Sequence, residues 1–530
     1  MNELTTGNNH AGYNLKIIGY CELDEPALLK KFMSEGPGTL KDLRGEYTLV
    51  IEGGHECFVI TSPVGAMHYF YALQNGKFHH SDKIADILRD GKLDWKWDWQ
   101  ALGDLCQLEN LTGNATLHQE IRKVPPGSVL HFKDGKMQLE SNAYIDSIKR
   151  QRSDPQVALA AFNEEVALWA GDTPYLSLSG GFDSRVILSS LLKQGIKPHL
   201  ITMGTDECTD VRVARKVAAA FGLKHDIISV DLQDFVAHSA EISILTNGTK
   251  PACHWHTYLY PLKAKIGKNH AFFVGTLGEF ARSYYFDRGC LAQAADKFDG
   301  HSLLLFWKLK LNRHRTFSDN ELRGLSSEFS GQIDPAGTKS RSERLAGLCH
   351  QRFLPGLTRY YFEQRVPNFY ANGIKMYQVS SNWRSPYHSR KWIDAIWNLD
   401  NVWKLGSNWH RYAVLKNFPQ LLDFPEQNGL VQGKMLAKAP FLYWTPFMRR
   451  TRHVNYDLSS AWYRQAEIQE FMRESVSLVR DIIDEKTAIG IIEAHRSGTD
   501  RTRTLAFLLA MIHWKRAIGE IMIAGRGKEK

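Results

Sequence analysis

The sequence predicts two unlike domains, an α+β domain and then an α/β domain on a parallel, doubly wound sheet, with a mostly helical extension completing the chain. Three observations predict this. Short strand-like runs with turn punctuation fill the first 140 residues, strands alternate with helices from about residue 155, and helical spacing dominates beyond about residue 300. A chain of 530 residues also exceeds the size at which one hydrophobic core keeps growing.

In the first region Lys16–Cys21 is strand-like, and Tyr47–Ile51 and Cys57–Thr61 flank Glu52-Gly53-Gly54-His55-Glu56 in a hairpin pattern. Met67–Leu73 and Lys77–His80 surround Asn75-Gly76, a dipeptide suited to a two-residue hairpin turn. Helical periodicity marks Ser81–Leu88 and Trp99–Leu105, and Val124-Pro125-Pro126-Gly127 forms a rigid turn before a strand at Ser128–Phe132. The polar stretch Ser147–Asp154 reads as a linker. Beyond it the pattern gives helix Pro155–Trp169, strand Pro174–Leu178, a glycine loop and helix Ser184–Gln194. Strand His199–Met203, helix Val211–Phe221 and strand Asp226–Val230 follow, an alternation that predicts a parallel sheet. Thr502–Ile523 carries apolar residues at helical spacing and is expected to pack against protein, not membrane. The implied domains are residues 1–146, 155–445 and 446–530.

The net charge of +9 comes from basic residues scattered without a run of five, which argues against a nucleic-acid partner. A basic surface with no particular partner is the simpler reading, and an anionic ligand such as a nucleotide or an acidic peptide the sharper one. The seven cysteines lie far apart with no Cys-x-x-Cys pair, as in reduced thiols. Met1–His10 is polar without an apolar signal-peptide core, and no stretch has the roughly 20 apolar residues of a membrane span. A cytoplasmic protein without a membrane partner is expected.

The chemistry concentrates in Ser179-Gly180-Gly181-Phe182-Asp183-Ser184, between a strand and a helix. Gly180 and Gly181 let the backbone approach a phosphate closely. The loop N–H groups and the helix N-terminus carry partial positive charge suited to a polyanion, and Ser179 and Ser184 add hydroxyl donors. Asp183 cannot favour phosphate by itself, so its natural role is to hold Mg²⁺ against phosphate oxygens. The loop lacks the Gly-x-x-x-x-Gly-Lys-Ser/Thr pattern that cradles phosphates in other nucleotide-binding proteins. The competing structural reading is a plain glycine turn with Ser184 capping the helix.

The hexapeptide resembles the pyrophosphate loop of N-type ATP pyrophosphatases, and its surroundings resemble the asparagine synthetase family. Met203-Gly204, with Asp210, Ala214, Arg215–Ala218, Gly222 and His225, resembles the segment where that family holds adenine. Phe272–Glu279 is a strand ending in a glycine turn with a carboxylate. The resemblance implies that Gly275 lies against the nucleotide and that Glu279 shares Mg²⁺ with Asp183. Arg384-Ser385-Pro386-Tyr387 looks like the family's Arg-x-Pro-Phe segment, and Lys434 or Lys438 stands where a late lysine stabilises the departing pyrophosphate. Each of Glu279, Lys434 and Lys438 has an alternative reading as a solvated surface charge.

In the first region Leu43–Tyr47, Ser62-Pro63-Val64-Gly65, His68–Tyr71, Ser81–Ile84 and Thr116–Val129 resemble that family's glutaminase domain. The resemblance thus implies an Ntn-hydrolase-like α+β domain, a HUP-like ATP pyrophosphatase domain and a helical C-terminal extension. The family's glutaminase nucleophile is a cysteine at the mature N-terminus that uses its own α-amine as base. Here residue 2 is Asn, and the nearest thiol, Cys21, lies inside a strand-like run and reads as a buried structural thiol. The amine is therefore expected on the substrate itself, as in β-lactam synthetases and lasso-peptide macrolactam synthetases, with ammonia as the alternative.

Two further departures bear on catalysis. Thr276 stands where the family has an acid or a tyrosine, and Asn382 where it has a glutamate, so neither offers a general base. His254 or His256 could serve, or positioning alone. The leading expectation is an ATP-dependent ligase joining a small-molecule or peptide carboxylate to an amine, with AMP and pyrophosphate released. Ammonia-dependent asparagine synthesis and an ATP-binding regulatory protein without catalysis are the alternatives. An RNA-thiolating pyrophosphatase fits the charge but not the missing cysteine pairs.

Overall fold

The computed structural model describes residues 12–141, 144–149, 151–250, 257–267, 269–282, 316–333, 339, 343, 345, 353–426, 433–439, 454 and 457–526. Eight strands build the first domain: β1 (Asn14–Cys21), β2 (Gly45–Gly53), β3 (Glu56–Thr61), β4 (Phe70–Gln74), β5 (Lys77–Ser81), β6 (Arg122–Lys123), β7 (Ser128–Lys133) and β8 (Lys136–Ser141). They form two sheets, in orders β1-β2-β3-β7-β8 and β5-β4-β6, and every pairing is antiparallel.

Alternation along β2 explains its burial on both faces. Leu49 and Ile51 join Leu28, Leu29 and Phe32 of the helix Glu25–Glu35, while Val50 turns to the larger core with Val59. Asn75 and Gly76 take φ of 51° and 74°, the left-handed pair that closes the β4–β5 hairpin without splaying its strands. β4 starts at Phe70 and not at Met67, because the Met67 carbonyl accepts a 2.6 Å hydrogen bond from the Thr48 hydroxyl. β8 was not expected. Met137 and Leu139 alternate with Lys136, Gln138 and Glu140, but the run is short and mostly exposed, and Asp134-Gly135, at φ 48° and 77°, forms the hairpin turn that adds it.

Asp154 ends the linker as an N-cap, accepting from Gln156 N at 2.7 Å to start the helix Pro155–Trp169. The second domain then follows with β9 (Tyr175–Ser177), β10 (His199–Met203), β11 (His225–Ile228), β12 (Ala271–Phe273) and β13 (Asn382–Arg384). All five are parallel, in order β11-β10-β9-β12-β13. The chain winds outward one way from β9 and then returns to its other side, creating a switch point beside β9 at the carboxyl edge. β13 is a strand within a region otherwise expected to be helical.

Two antiparallel sheets, a parallel sheet and a helical C-terminal region therefore make up the protein, the Ntn-hydrolase-like and HUP-like arrangement. The helix Thr502–Arg526 is packed along most of its length, with Leu505, Leu508, Met511, Ile512 and Trp514 buried. His513 meets the Ser239 hydroxyl of the second domain at 3.1 Å, while Asp481 accepts from both Lys515 and Trp97 of the first domain at 2.7 Å. Among the described residues, no helix is long and apolar enough to cross a membrane.

Candidate active site

Four neighbouring strands of the parallel sheet end at one edge, and each delivers a segment singled out in the sequence. β9 leads into Ser179–Ser184, β10 ends at Met203-Gly204, β12 leads into Gly275–Glu279, and β13 ends in Arg384–Tyr387.

The loop after β9 is held by its own side chains and by one carboxylate. Ser184 does not cap its helix, Phe182–Lys193, which has no side-chain cap; its hydroxyl instead accepts from Ser179 N at 3.1 Å. Gly181 N donates to the Ser179 hydroxyl at 3.2 Å, and Gly180 N to Asp210 at 2.8 Å. The buried Arg185 guanidinium donates to the Gly180 carbonyl at 3.1 Å and to the Phe424 carbonyl, tying the loop to a distant segment. Gly181 takes φ −77° and ψ 168°, values open to any residue, so the turn itself does not demand glycine there. What glycine leaves is room above the uncapped helix N-terminus, where an anion is favoured.

The turn after β12 presses directly onto Asp183. A Cβ on Gly278 would lie 2.6 Å from Asp183 Cγ, and one on Gly275 2.9 Å from Asp183 Cβ. Leu277 between them adopts φ 73°, a left-handed conformation uncommon for a bulky residue, and the Thr276 hydroxyl is buried without a hydrogen bond. The Ser385 hydroxyl fixes the turn by donating to the Thr276 carbonyl at 2.8 Å, and the Tyr387 hydroxyl donates to the Asp183 carbonyl at 2.7 Å. The first domain joins in through Tyr20, whose hydroxyl accepts from Ser385 N at 3.1 Å. The buried pair Glu46–His388, at 2.9 Å, lies alongside.

This packing brings Glu279 beside Asp183. Burial and the Asp183 charge push the Glu279 carboxyl up to about 7, whereas Asp183 itself is held low. Burial alone would raise Asp183, but the Arg282 guanidinium and the His410 imidazole outweigh it. Arg282 Nη2 donates to Asp183 Oδ2 at 2.7 Å and lies 3.9 Å from Glu279 Oε1. His410 Nε2 is 3.0 Å from Asp183 Oδ1 but outside hydrogen-bonding alignment, so this buried oxygen keeps a free lone pair. Burial lowers the His410 pKa, against the opposing pull of the Asp183 carboxylate. Two carboxylates with an unsatisfied oxygen form a hard donor set that fits a divalent cation such as Mg²⁺.

The remaining expected residues lie elsewhere. Lys434 is ion-paired with Asp423 at 2.6 Å, and Lys438 is exposed at the end of the helix Gly433–Lys438. Asn382 accepts from Arg384 Nη1 at 2.7 Å, and that guanidinium stacks 4.2 Å from the Tyr20 ring. Cys21 is only half-buried; its thiol donates to the Leu23 carbonyl and burial pushes it up, so it is unreactive. His254 and His256 lie outside the described residues. Arg282, His410 and Arg185 escaped the sequence reading. Arg282 had a faint signal, one turn beyond Glu279, while His410 reaches Asp183 only through the fold.

Residues 20–145 match the glutamine amidotransferase domain family, and residues 164–269 match asparagine synthase. No curated protein matches the chain. Among solved structures, the glutamine phosphoribosylpyrophosphate amidotransferase from B. subtilis, complexed with ADP and GMP, aligns at 11% identity and a TM-score of 0.18. That alignment covers 42% of this chain and 62% of the amidotransferase, less than two thirds of its length. NMN synthetase from Francisella tularensis aligns at 17% identity and a TM-score of 0.20, over 40% of this chain and 93% of its own. At such scores neither likeness bears on function. The two family matches, in this order and over these two folds, support an asparagine synthetase-family protein.

Proposed function

We propose that the protein is an ATP-dependent ligase that adenylates a substrate carboxylate and passes the acyl group to an amine without hydrolysing glutamine. The observation that carries this reading is the uncapped loop Ser179–Ser184 at the carboxyl edge of β9, with the glycine turn that carries Glu279 packed against its Asp183. The asparagine synthase match over residues 164–269 supports the ligase class. The half-buried, unreactive thiol of Cys21 supports an amine that comes from the substrate, or from free ammonia.

In this mechanism the N–H groups of the uncapped first turn of the helix Phe182–Lys193 and the hydroxyls of Ser179 and Ser184 bind the β- and γ-phosphates, leaving the α-phosphorus open. Met203 and Gly204 lie at the end of β10, where the adenosine would rest, and Gly275 lets the β12 turn close on the loop. A carboxylate oxygen attacks the α-phosphorus, and the bond to the bridging oxygen breaks with its electron pair leaving on pyrophosphate. The amine then attacks the acyl carbon, AMP departs with the C–O electron pair, and the amine proton passes to solvent. Asp183 and Glu279 would hold Mg²⁺, which when bound neutralises phosphate charge. The reading includes a cytoplasmic site of action.

Incubation with α-labelled ATP and panels of carboxylates and amines tests this, with labelled AMP as the expected product. Labelled ADP would overturn it. Aspartate with ammonium salts yields asparagine only if the protein is an ammonia-dependent asparagine synthetase. A second reading, a nucleotide-binding regulatory protein without turnover, draws on Arg282 lying across the carboxylates. It predicts ATP binding that depends on Asp183 with no pyrophosphate released from any mixture.

A further inference from the structure

A phosphoryl site that expels pyrophosphate needs a cation able to follow charge onto the leaving group. Lys434 is engaged by Asp423, and Lys438 is exposed at its helix end. Arg282 is different. It leaves the short helix Gly278–Ala281, bonds the carboxylate of a residue that belongs to the phosphate loop, and lies within ion-pair distance of Glu279. Its Nε is buried without a hydrogen bond, so the guanidinium is only partly satisfied where it stands.

We propose that Arg282 exchanges partners: it bridges Asp183 and Glu279 before metal and nucleotide arrive, and afterwards grips the β- and γ-phosphates as the cation that stabilises departing pyrophosphate. The inference rests on the ligase reading above. Its logic is electrostatic. A divalent cation held by the same two carboxylates satisfies their charge and repels the guanidinium, whose donors must then find other oxygens. The anion then nearest is the polyphosphate on Ser179–Ser184, because Asp183 is itself part of that loop. The planar fork of arginine donors matches phosphate oxygens in pairs, which a lysine cannot do. Arg282 therefore has opposite effects on the two ligands, competing with metal and assisting nucleotide.

That opposition separates the proposal from a merely structural ion pair. The full-length Arg282→Met and Arg282→Gln variants are checked for a wild-type circular dichroism spectrum and melting transition. Mn²⁺ binding without nucleotide is then titrated by electron paramagnetic resonance, and α,β-methylene-ATP binding with Mg²⁺ by calorimetry. Both variants should bind Mn²⁺ about 3- to 10-fold more tightly and the nucleotide analogue at least ~10-fold more weakly. Arg282→Lys should recover part of the nucleotide affinity. Unchanged or weaker Mn²⁺ binding, or undiminished analogue binding, overturns the exchange. Neither titration uses the acyl substrate, so wild-type release of ADP would remove the ligase reading and pyrophosphate's departure with it, while partner exchange would still stand or fall on the two affinities.

Discussion

Replacing Gly278 by alanine probes the contact on which the site is built. The added Cβ would lie 2.6 Å from Asp183 Cγ, 2.7 Å from Oδ1 and 2.8 Å from Cβ. Those approaches are roughly 0.8 Å inside ordinary carbon contact, and the atoms met cannot swing aside. Asp183 is held through its carbonyl by Tyr387 and through its carboxylate by Arg282. The turn must therefore lift off the loop, at a cost of about 1–3 kcal/mol by the usual scale of overpacking. The same displacement separates Glu279 from Asp183, so Mg²⁺-dependent ATP affinity should fall by at least ~10-fold. Gly490→Ala is the control. This exposed glycine lies inside the helix Glu485–Arg496 with nothing within 4 Å of its added Cβ. There the substitution should stabilise by about 0.5–1 kcal/mol and leave nucleotide binding alone. Urea unfolding and isothermal titration calorimetry measure both quantities. Unchanged stability and metal-dependent affinity in Gly278→Ala would refute the reasoning that close packing of the β12 turn creates the carboxylate pair.

Other outcomes follow from buried charges. Arg411 and Glu426 form a two-pronged buried pair, with Nε–Oε1 and Nη2–Oε2 both 2.8 Å, so Glu426→Gln should cost about 3 kcal/mol in a urea midpoint series. A loss under about 0.5 kcal/mol would mean that the pair is not fully desolvated. Lys123 is fully buried, and burial together with the nearby Lys375 charge lowers its pKa to about 7. Between about 7 and the ordinary lysine value the unfolded chain holds a proton that the folded protein has shed, so this group makes stability rise with pH across that window. Lys123→Met removes that slope: relative to wild type, the variant should gain on the order of 2 kcal/mol more at about pH 6 than at about pH 9. The lost bonds to Pro367 and Asn368 affect both pH values alike, so parallel pH profiles would contradict the depressed pKa. Asp183→Asn should abolish metal-dependent ATP affinity while leaving the fold intact, as thermal shift with and without MgATP would register.

Local chemistry alone made much of the fold legible. Asp154-Pro155 announces a capped helix start, Asn75-Gly76 a left-handed hairpin turn, and the apolar runs around 174–178, 199–203 and 272–274 a buried parallel sheet. The phosphate-loop candidate was also visible, because its residues are adjacent and their meaning depends only on the strand before and the helix after. Edge strand β8 was missed because two alternating apolar residues, Met137 and Leu139, in a short and mostly exposed run do not set a strand apart from a loop, and β13 because three residues are too few to show a period. Tertiary structure decided the rest. Glu279 gains its raised pKa only because Gly275 and Gly278 let its turn close on Asp183, and His410 reaches that carboxylate across the whole second domain. The same holds for Arg282 between the two carboxylates and for the helix Thr502–Arg526 packed against both domains. Propensity and capping act over one or two turns of chain, whereas a charge cluster of this kind arises where separate strand ends converge, and that convergence is a property of packing.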